Sequence, residues 1–177
     1  MPPLLKRAFL RGIARSEKAR NFVETGTYLG DTTWEYRRDF DRIDSIEVEP
    51  YLHGQAVRRF SGMPHVTIHL GDSADVLPNI VPSLKGKTLY WLDGHYSAGI
   101  TGAGVSHCPV FRELESIFTL SREPFVIVID DARCFGTDPA YPTIEQVRGR
   151  VGQLSEDRAG VTVENDMIII RPLREEG

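Results

Sequence analysis

Between Arg20 and Ile129 the chain alternates short apolar runs with longer segments in which apolar residues return every three or four positions. Asn21 to Glu24, Ile43 to Val48, His65 to Leu70, Thr88 to Leu92 and Phe125 to Ile129 are brief, nearly continuous in apolar residues and rich in Val and Ile, the pattern of parallel strands covered on both faces. The helical period occupies Thr32 to Phe40, Tyr51 to Phe60, Ala74 to Ile80, Pro109 to Leu120 and Thr143 to Val151. Asp72-Ser73 supplies a natural N-cap pair to the third of these, and Thr143 with Gln146 forms a capping box on the last. The rhythm breaks at Val161 to Ile170, two β runs joined so closely at Asn165-Asp166 that they predict an antiparallel hairpin. The expectation is an α/β domain with an open, doubly wound, mostly parallel sheet and a C-terminal antiparallel hairpin.

With 177 residues and neither an internal repeat nor a Ser/Gly linker, residues 1–177 are read as a single domain. A net charge of -4 argues against nucleic acid or an anionic membrane as the main partner and turns attention to a small molecule. Two cysteines, Cys108 and Cys134, are too few for a disulfide framework, so a cytoplasmic setting is the expectation. Met1 to Arg20 mixes Lys6, Arg7, Arg11, Arg15, Lys18 and Arg20 with apolar residues and has no unbroken apolar stretch of signal length; it reads as an amphipathic first helix covering the domain.

In open α/β sheets ligands bind outside the carboxyl ends of the strands, where the strand order reverses. Those ends carry Glu24, Glu47 with Glu49, Asp72, Asp93 with His95, and Asp130 with Asp131. Carboxylates crowded on one rim repel each other, so such a rim calls for a cationic or hydrogen-bonding ligand, or a metal. The first turn, Glu24-Thr-Gly-Thr-Tyr-Leu-Gly30, reads as a cofactor cradle: Gly26 opens space for a ligand and Gly30 lets the next helix pack close to the sheet. Glu47 is placed to accept hydrogen bonds from a ribose diol, with Glu49 as fallback, and Asp72-Ser73 would lie beside an adenine ring. These features suit NAD as well as S-adenosylmethionine. The turn nevertheless lacks the three-glycine dinucleotide spacing, and Tyr28 stands where a pyrophosphate would need room.

The same turn resembles the first motif of class I S-adenosylmethionine-dependent methyltransferases, in the version found in metal-dependent O-methyltransferases of the catechol and caffeoyl-CoA type. Ser45-Ile-Glu47 resembles that family's ribose-binding strand; Leu92-Asp93 and Ile129-Asp130-Asp131 resemble its two metal-binding strand ends. Leu92-Asp-Gly-His-Tyr96 is also similar to the macrocin-type sugar O-methyltransferases. The resemblance implies a Rossmann-like methyltransferase fold and an S-adenosylmethionine site built from Glu24, Gly26, Thr27, Tyr28, Gly30, Glu47, Asp72 and Ser73. It further implies Mg²⁺ or a similar divalent cation on Asp93, Asp130 and Asp131, and O-methyl transfer to a hydroxyl of a sugar or small oxygenated metabolite. Catechol-type enzymes carry a lysine base three residues beyond the first metal aspartate; here that position is Tyr96, and His95 becomes the candidate base because imidazole titrates near neutrality. Structural and metal-ligand roles for His95 stay open.

The glycine-rich segment between His95 and His107 is read as a lid on the ligand rim. Arg133 either binds an anionic acceptor or pairs with a neighbouring acid. Acceptor enclosure is expected from the lid alone, from a second copy in a homo-oligomer, or from the acceptor staying partly outside. An NAD-dependent oxidoreductase and a non-catalytic S-adenosylmethionine-binding module are the competing functional readings.

Overall fold

The structure, a computed structural model, describes residues 3–93 and 108–173. His95, Tyr96, His107 and the expected lid lie outside the described residues. Seven strands form one sheet: β1 (Asn21–Thr25), β2 (Arg42–Glu47), β3 (Val66–Leu70), β4 (Thr88–Leu92), β5 (Phe125–Ile129), β6 (Ala159–Glu164) and β7 (Met167–Pro172). Their order is β3-β2-β1-β4-β5-β7-β6. The first five are parallel, and β7 returns antiparallel between β5 and β6, as the hairpin pattern predicts. Asn165 and Asp166 at the hairpin turn both take positive φ, 53° and 64°, as a tight turn matched to the twist of its strands requires.

Among the described residues, six α-helices cover the sheet: α1 (Pro3–Ser16), α2 (Asp31–Tyr36), α3 (Pro50–Phe60), α4 (Ser73–Ile80), α5 (Val110–Leu120) and α6 (Ile144–Ser155). Strand alternation divides the core into two layers. Val23, Ile46, Tyr90, Ile127 and Ile129 face Leu77, Leu114, Ile117, Val147 and Val151 of α4, α5 and α6. Phe22, Ile43, Leu89, Trp91 and Val128 pack with Leu10, Ile13, Tyr36, Ala56 and Phe60 of α1, α2 and α3. The N-terminal segment is therefore the covering helix its amphipathic pattern predicts.

Differences from the predicted elements have local causes. The helix after the glycine turn stops at Tyr36 instead of Phe40, because Arg37–Asp39 wind into a turn closed by a 2.8 Å bond from Asp39 N to Tyr36 O. Helix α6 runs on to Ser155, beyond the predicted Val151, and ends where Glu156 adopts positive φ. Strand β3 lies at an edge of the sheet, so it lacks the cover on both faces that its apolar run predicts; Leu70 is 49% exposed. Among the described residues no helix is long and apolar enough to cross a membrane.

Candidate active site

Strand order reverses between β1 and β4, and the carboxyl ends there are tied by backbone hydrogen bonds. Asp93 N donates to Thr25 O at 3.1 Å and Asp130 N to Leu92 O at 3.0 Å, which sets the tips of β1, β4 and β5 side by side. A cleft of about 540 Å³ opens at this point, its walls including Gly26, Tyr28, Glu47, Gly71, Ser73 and Asp93. A smaller cavity of about 160 Å³ lies on the α1 side, bounded among others by Lys6, Trp91, Asp93 and Asp130. Asp93 is common to both.

The glycine turn builds one wall of the cleft. Gly26 and Gly30 take φ of 87° and 77°, and a Cβ on Gly30 would meet the Phe60 ring at 2.8 Å. Tyr28 also has positive φ, 49°, which is costly for a bulky residue and persists where surroundings enforce it. The enforcing contact is Glu47, whose Oε2 accepts from Tyr28 N at 2.7 Å while its Oε1 accepts from Glu49 N at 2.9 Å. Glu49 caps α3 through Leu52 N at 2.7 Å, leaving Glu47 as the buried carboxylate of this wall.

Glu24 lies beneath the turn, 1% exposed. Its Oε2 accepts from Thr33 Oγ1 and Ser45 Oγ, each at 2.6 Å, and Ser45 Oγ is in turn 2.6 Å from the Thr27 hydroxyl. Burial pushes the Glu24 carboxyl up to about 7 against the pull of those hydroxyls. On the opposite side Asp72 caps α4, accepting from Ala74 N at 2.8 Å, so of the Asp72-Ser73 pair it is Ser73 that lines the cleft. Ser73 Oγ donates to Glu113 Oε1 at 2.6 Å. Glu113 was missed in the sequence because it sits at a buried position on the apolar face of α5; burial pushes it up to about 7.

Asp93, Asp130 and Asp131 come together as their strand-end positions predict, with one carboxylate oxygen of each within 4.8 Å of the others. Asp131 holds φ of 54°, directly after β5, and its N–H donates to Asp130 Oδ1 at 2.7 Å. Burial, reinforced by the negative charges of Asp130, Glu24 and Asp131, pushes Asp93 up to about 8.

Two further groups enter this cluster from distant parts of the chain. Lys6 Nζ, on α1, lies 2.5 Å from Asp130 Oδ1, 2.9 Å from Asp131 Oδ1 and 2.8 Å from Asp166 Oδ2. Burial pulls the Lys6 amine down, but the bonds to Asp130, Asp166 and Asp131 outweigh it and hold the group as an ammonium, well above the ordinary lysine range. Asp166, read in the sequence as a turn residue, is thereby a fourth carboxylate of the rim. Arg133 pairs with Asp131 at 2.8 Å and with Asp166, the neighbouring acids of one of its two readings. Burial raises both thiols, Cys108 to about 11, so neither is activated as a nucleophile.

The fold is shared with solved methyltransferases. The chain superposes on the O-methyltransferase TomG of Streptomyces achromogenes, solved with S-adenosylmethionine, at TM-score 0.65 and 22% identity, covering 96% of this chain and 80% of that one. An O-methyltransferase from Bacillus cereus, solved with S-adenosylhomocysteine, matches at TM-score 0.66 and 20% identity over 98% of this chain and 82% of that one. The N-methyltransferase NodS of Bradyrhizobium japonicum WM9 matches at 0.63 and 14%, over 96% and 95%. The shared architecture thus accommodates more than one acceptor atom. No family model matches the chain, and no curated protein matches it.

Proposed function

We propose that this protein is an S-adenosylmethionine-dependent O-methyltransferase, assisted by a divalent cation and acting on a hydroxyl of a sugar or other small oxygenated molecule. The observation that carries the proposal is Asp93, which is at once a wall of the 540 Å³ cleft and a member of the carboxylate cluster. A cleft able to hold a nucleoside cofactor and a group able to hold a cation therefore meet at one side chain, as methyl transfer to a held hydroxyl needs.

The residues fit both absent groups. The cleft has the positive-φ Gly26 in its wall, a buried carboxylate in Glu47 and the Ser73 hydroxyl on the other side. Asp93, Asp130 and Asp131 offer hard oxygen donors of the kind Mg²⁺ prefers, and the Lys6 ammonium against two of them is a stand-in for a bound cation. When bound, S-adenosylmethionine supplies an electrophilic methyl group and the cation makes a nearby hydroxyl more acidic.

The chain's own residues do the rest. Glu47, oriented by the Tyr28 and Glu49 amides, presents its remaining lone pairs to the ribose hydroxyls. Ser73, its proton given to Glu113, turns oxygen lone pairs toward the cleft and can accept from an exocyclic amine. Asp72 steadies that segment as the α4 cap, and Thr27 and Ser45 fix the Glu24 carboxyl under the turn, from where its negative charge would favour the ammonium of the methionine end. His95 is the proposed base; full turnover in His95→Ala between about pH 6 and 9 would remove it from that role.

The test is transfer of labelled methyl from S-adenosylmethionine to a panel of polyhydroxylated and catecholic acceptors, with Mg²⁺ or with chelator. Label in an ether-linked product, lost with chelator and in Asp130→Asn, supports the full reading. Transfer that ignores chelator keeps the enzyme and removes the metal. Cofactor binding with no transfer to any acceptor favours the non-catalytic module.

A further inference from the structure

The carboxylates read as a cation site already face a cation that the chain itself supplies. Lys6 Nζ contacts Asp130 Oδ1 and Asp131 Oδ1 at 2.5 and 2.9 Å, and the lysine side chain is 12% exposed. A small divalent ion draws oxygen ligands to about 2.0–2.1 Å and uses the same lone pairs. A metal there would share these carboxylates with the ammonium, and two cations a few ångströms apart repel, so each weakens the other's hold.

We infer that Lys6 is a tethered competitor for the divalent cation, so that the metal enters Asp93, Asp130 and Asp131 as the Lys6 head group withdraws. The inference rests on the metal reading of these acids given above. Three features make the exchange workable. Helix α1 is docked by contacts other than Lys6: Leu10, Ile13 and Ala14 are buried, Tyr36 Oη donates to Arg7 O at 2.8 Å, and Arg11 reaches Glu35 at 2.7 Å and Asp39 at 3.0 Å. The lysine stem is flexible and can swing while its helix stays in place. The 160 Å³ cavity beside Lys6 offers space, and Asp166, which is not one of the three, stands 2.8 Å away as a partner for the displaced ammonium. Without metal, the lysine compensates the cluster; with metal, it is redundant there. An N-terminal helix more than a hundred residues from Asp130 in sequence thereby sets the metal threshold of the site.

The experiment is Mn²⁺ binding, followed by loss of the free-ion paramagnetic resonance signal, in the wild type, Lys6→Met, Lys6→Arg and Asp130→Asn, each checked for folding by a thermal melt in chelator. Met keeps the apolar stem without the charge; Arg keeps the charge. The expected result is that Lys6→Met binds Mn²⁺ at least about tenfold more tightly than the wild type, the scale of a part-buried charge contact, while Lys6→Arg does not. Structural damage would weaken binding instead. If Lys6→Met matches the wild type while Asp130→Asn loses the ion, the metal site stands and the competition is overturned. If neither the wild type nor Lys6→Met binds Mn²⁺, the metal reading itself falls, and the competition with it.

Discussion

Replacing Glu24 with Gln isolates the charge of a carboxyl that the fold encloses. The side chain is 1% exposed and its Oε2 takes two hydroxyl donors at 2.6 Å, bonds that a glutamine oxygen can also accept. Burial lifts the carboxyl from an ordinary 4.5 to about 7. Because the folded value exceeds the unfolded one, the folded state binds more protons between them, and stability falls as pH rises through that window. A shift of about 2.5 units at about 1.4 kcal/mol per unit makes the ionised group cost the cofactor-free protein about 3 kcal/mol by about pH 8. Glu113, also raised, adds the same trend in both proteins; Asp93, whose rise the Glu24 charge reinforces, is raised less in Glu24→Gln, which widens the difference in the same direction. Urea unfolding without cofactor, at about pH 5 and about pH 8, should show the variant gaining roughly 2.5 kcal/mol on the wild type between the two, the rest being lost already below about pH 5. The same variant should bind S-adenosylmethionine at least about tenfold more weakly, since the ammonium loses its counter-charge. Parallel pH profiles together with unchanged cofactor affinity would refute both the buried-charge argument and the role given to Glu24.

Other substitutions test neighbouring parts of the account. Glu47→Ala removes the acceptor of the Tyr28 and Glu49 amides; calorimetry should show cofactor affinity falling by more than about tenfold, with stability down by about 1–2 kcal/mol. Gly30→Ala forces a side chain into φ of 77° and to 2.8 Å from the Phe60 ring, and should cost about 1–3 kcal/mol in denaturant unfolding. Asp130→Asn should abolish Mn²⁺ binding and metal-dependent turnover together; retention of both would remove the metal role.

The strands were legible because burial on both faces leaves a plain mark: Thr88–Leu92 and Phe125–Ile129 are apolar runs that begin and end where the sheet does. The acids at the tips were legible for a related reason, since each directly follows such a run, and the parallel register then brings Asp93 beside Asp130. Contributions from outside the repeating units were not. Lys6 belongs to an amphipathic helix whose lysines and arginines look like a solvated face, and its partner lies 124 positions away, a distance no local pattern spans. Asp166 carries the mark of a tight turn, which accounts for the residue fully until the hairpin is seen to deliver that turn to the carboxyl end of β5. Glu113 is hidden differently: a lone acid on an apolar helix face reads as a flaw in the pattern until Ser73 is found against it.

The most direct test of the central claim is calorimetric titration of the protein with S-adenosylmethionine, with and without Mg²⁺ and with NAD as control. The account predicts saturable one-site binding of S-adenosylmethionine, weakened in Glu47→Ala, and no response to NAD. Binding of NAD alone, or of neither ligand in either condition, would contradict it.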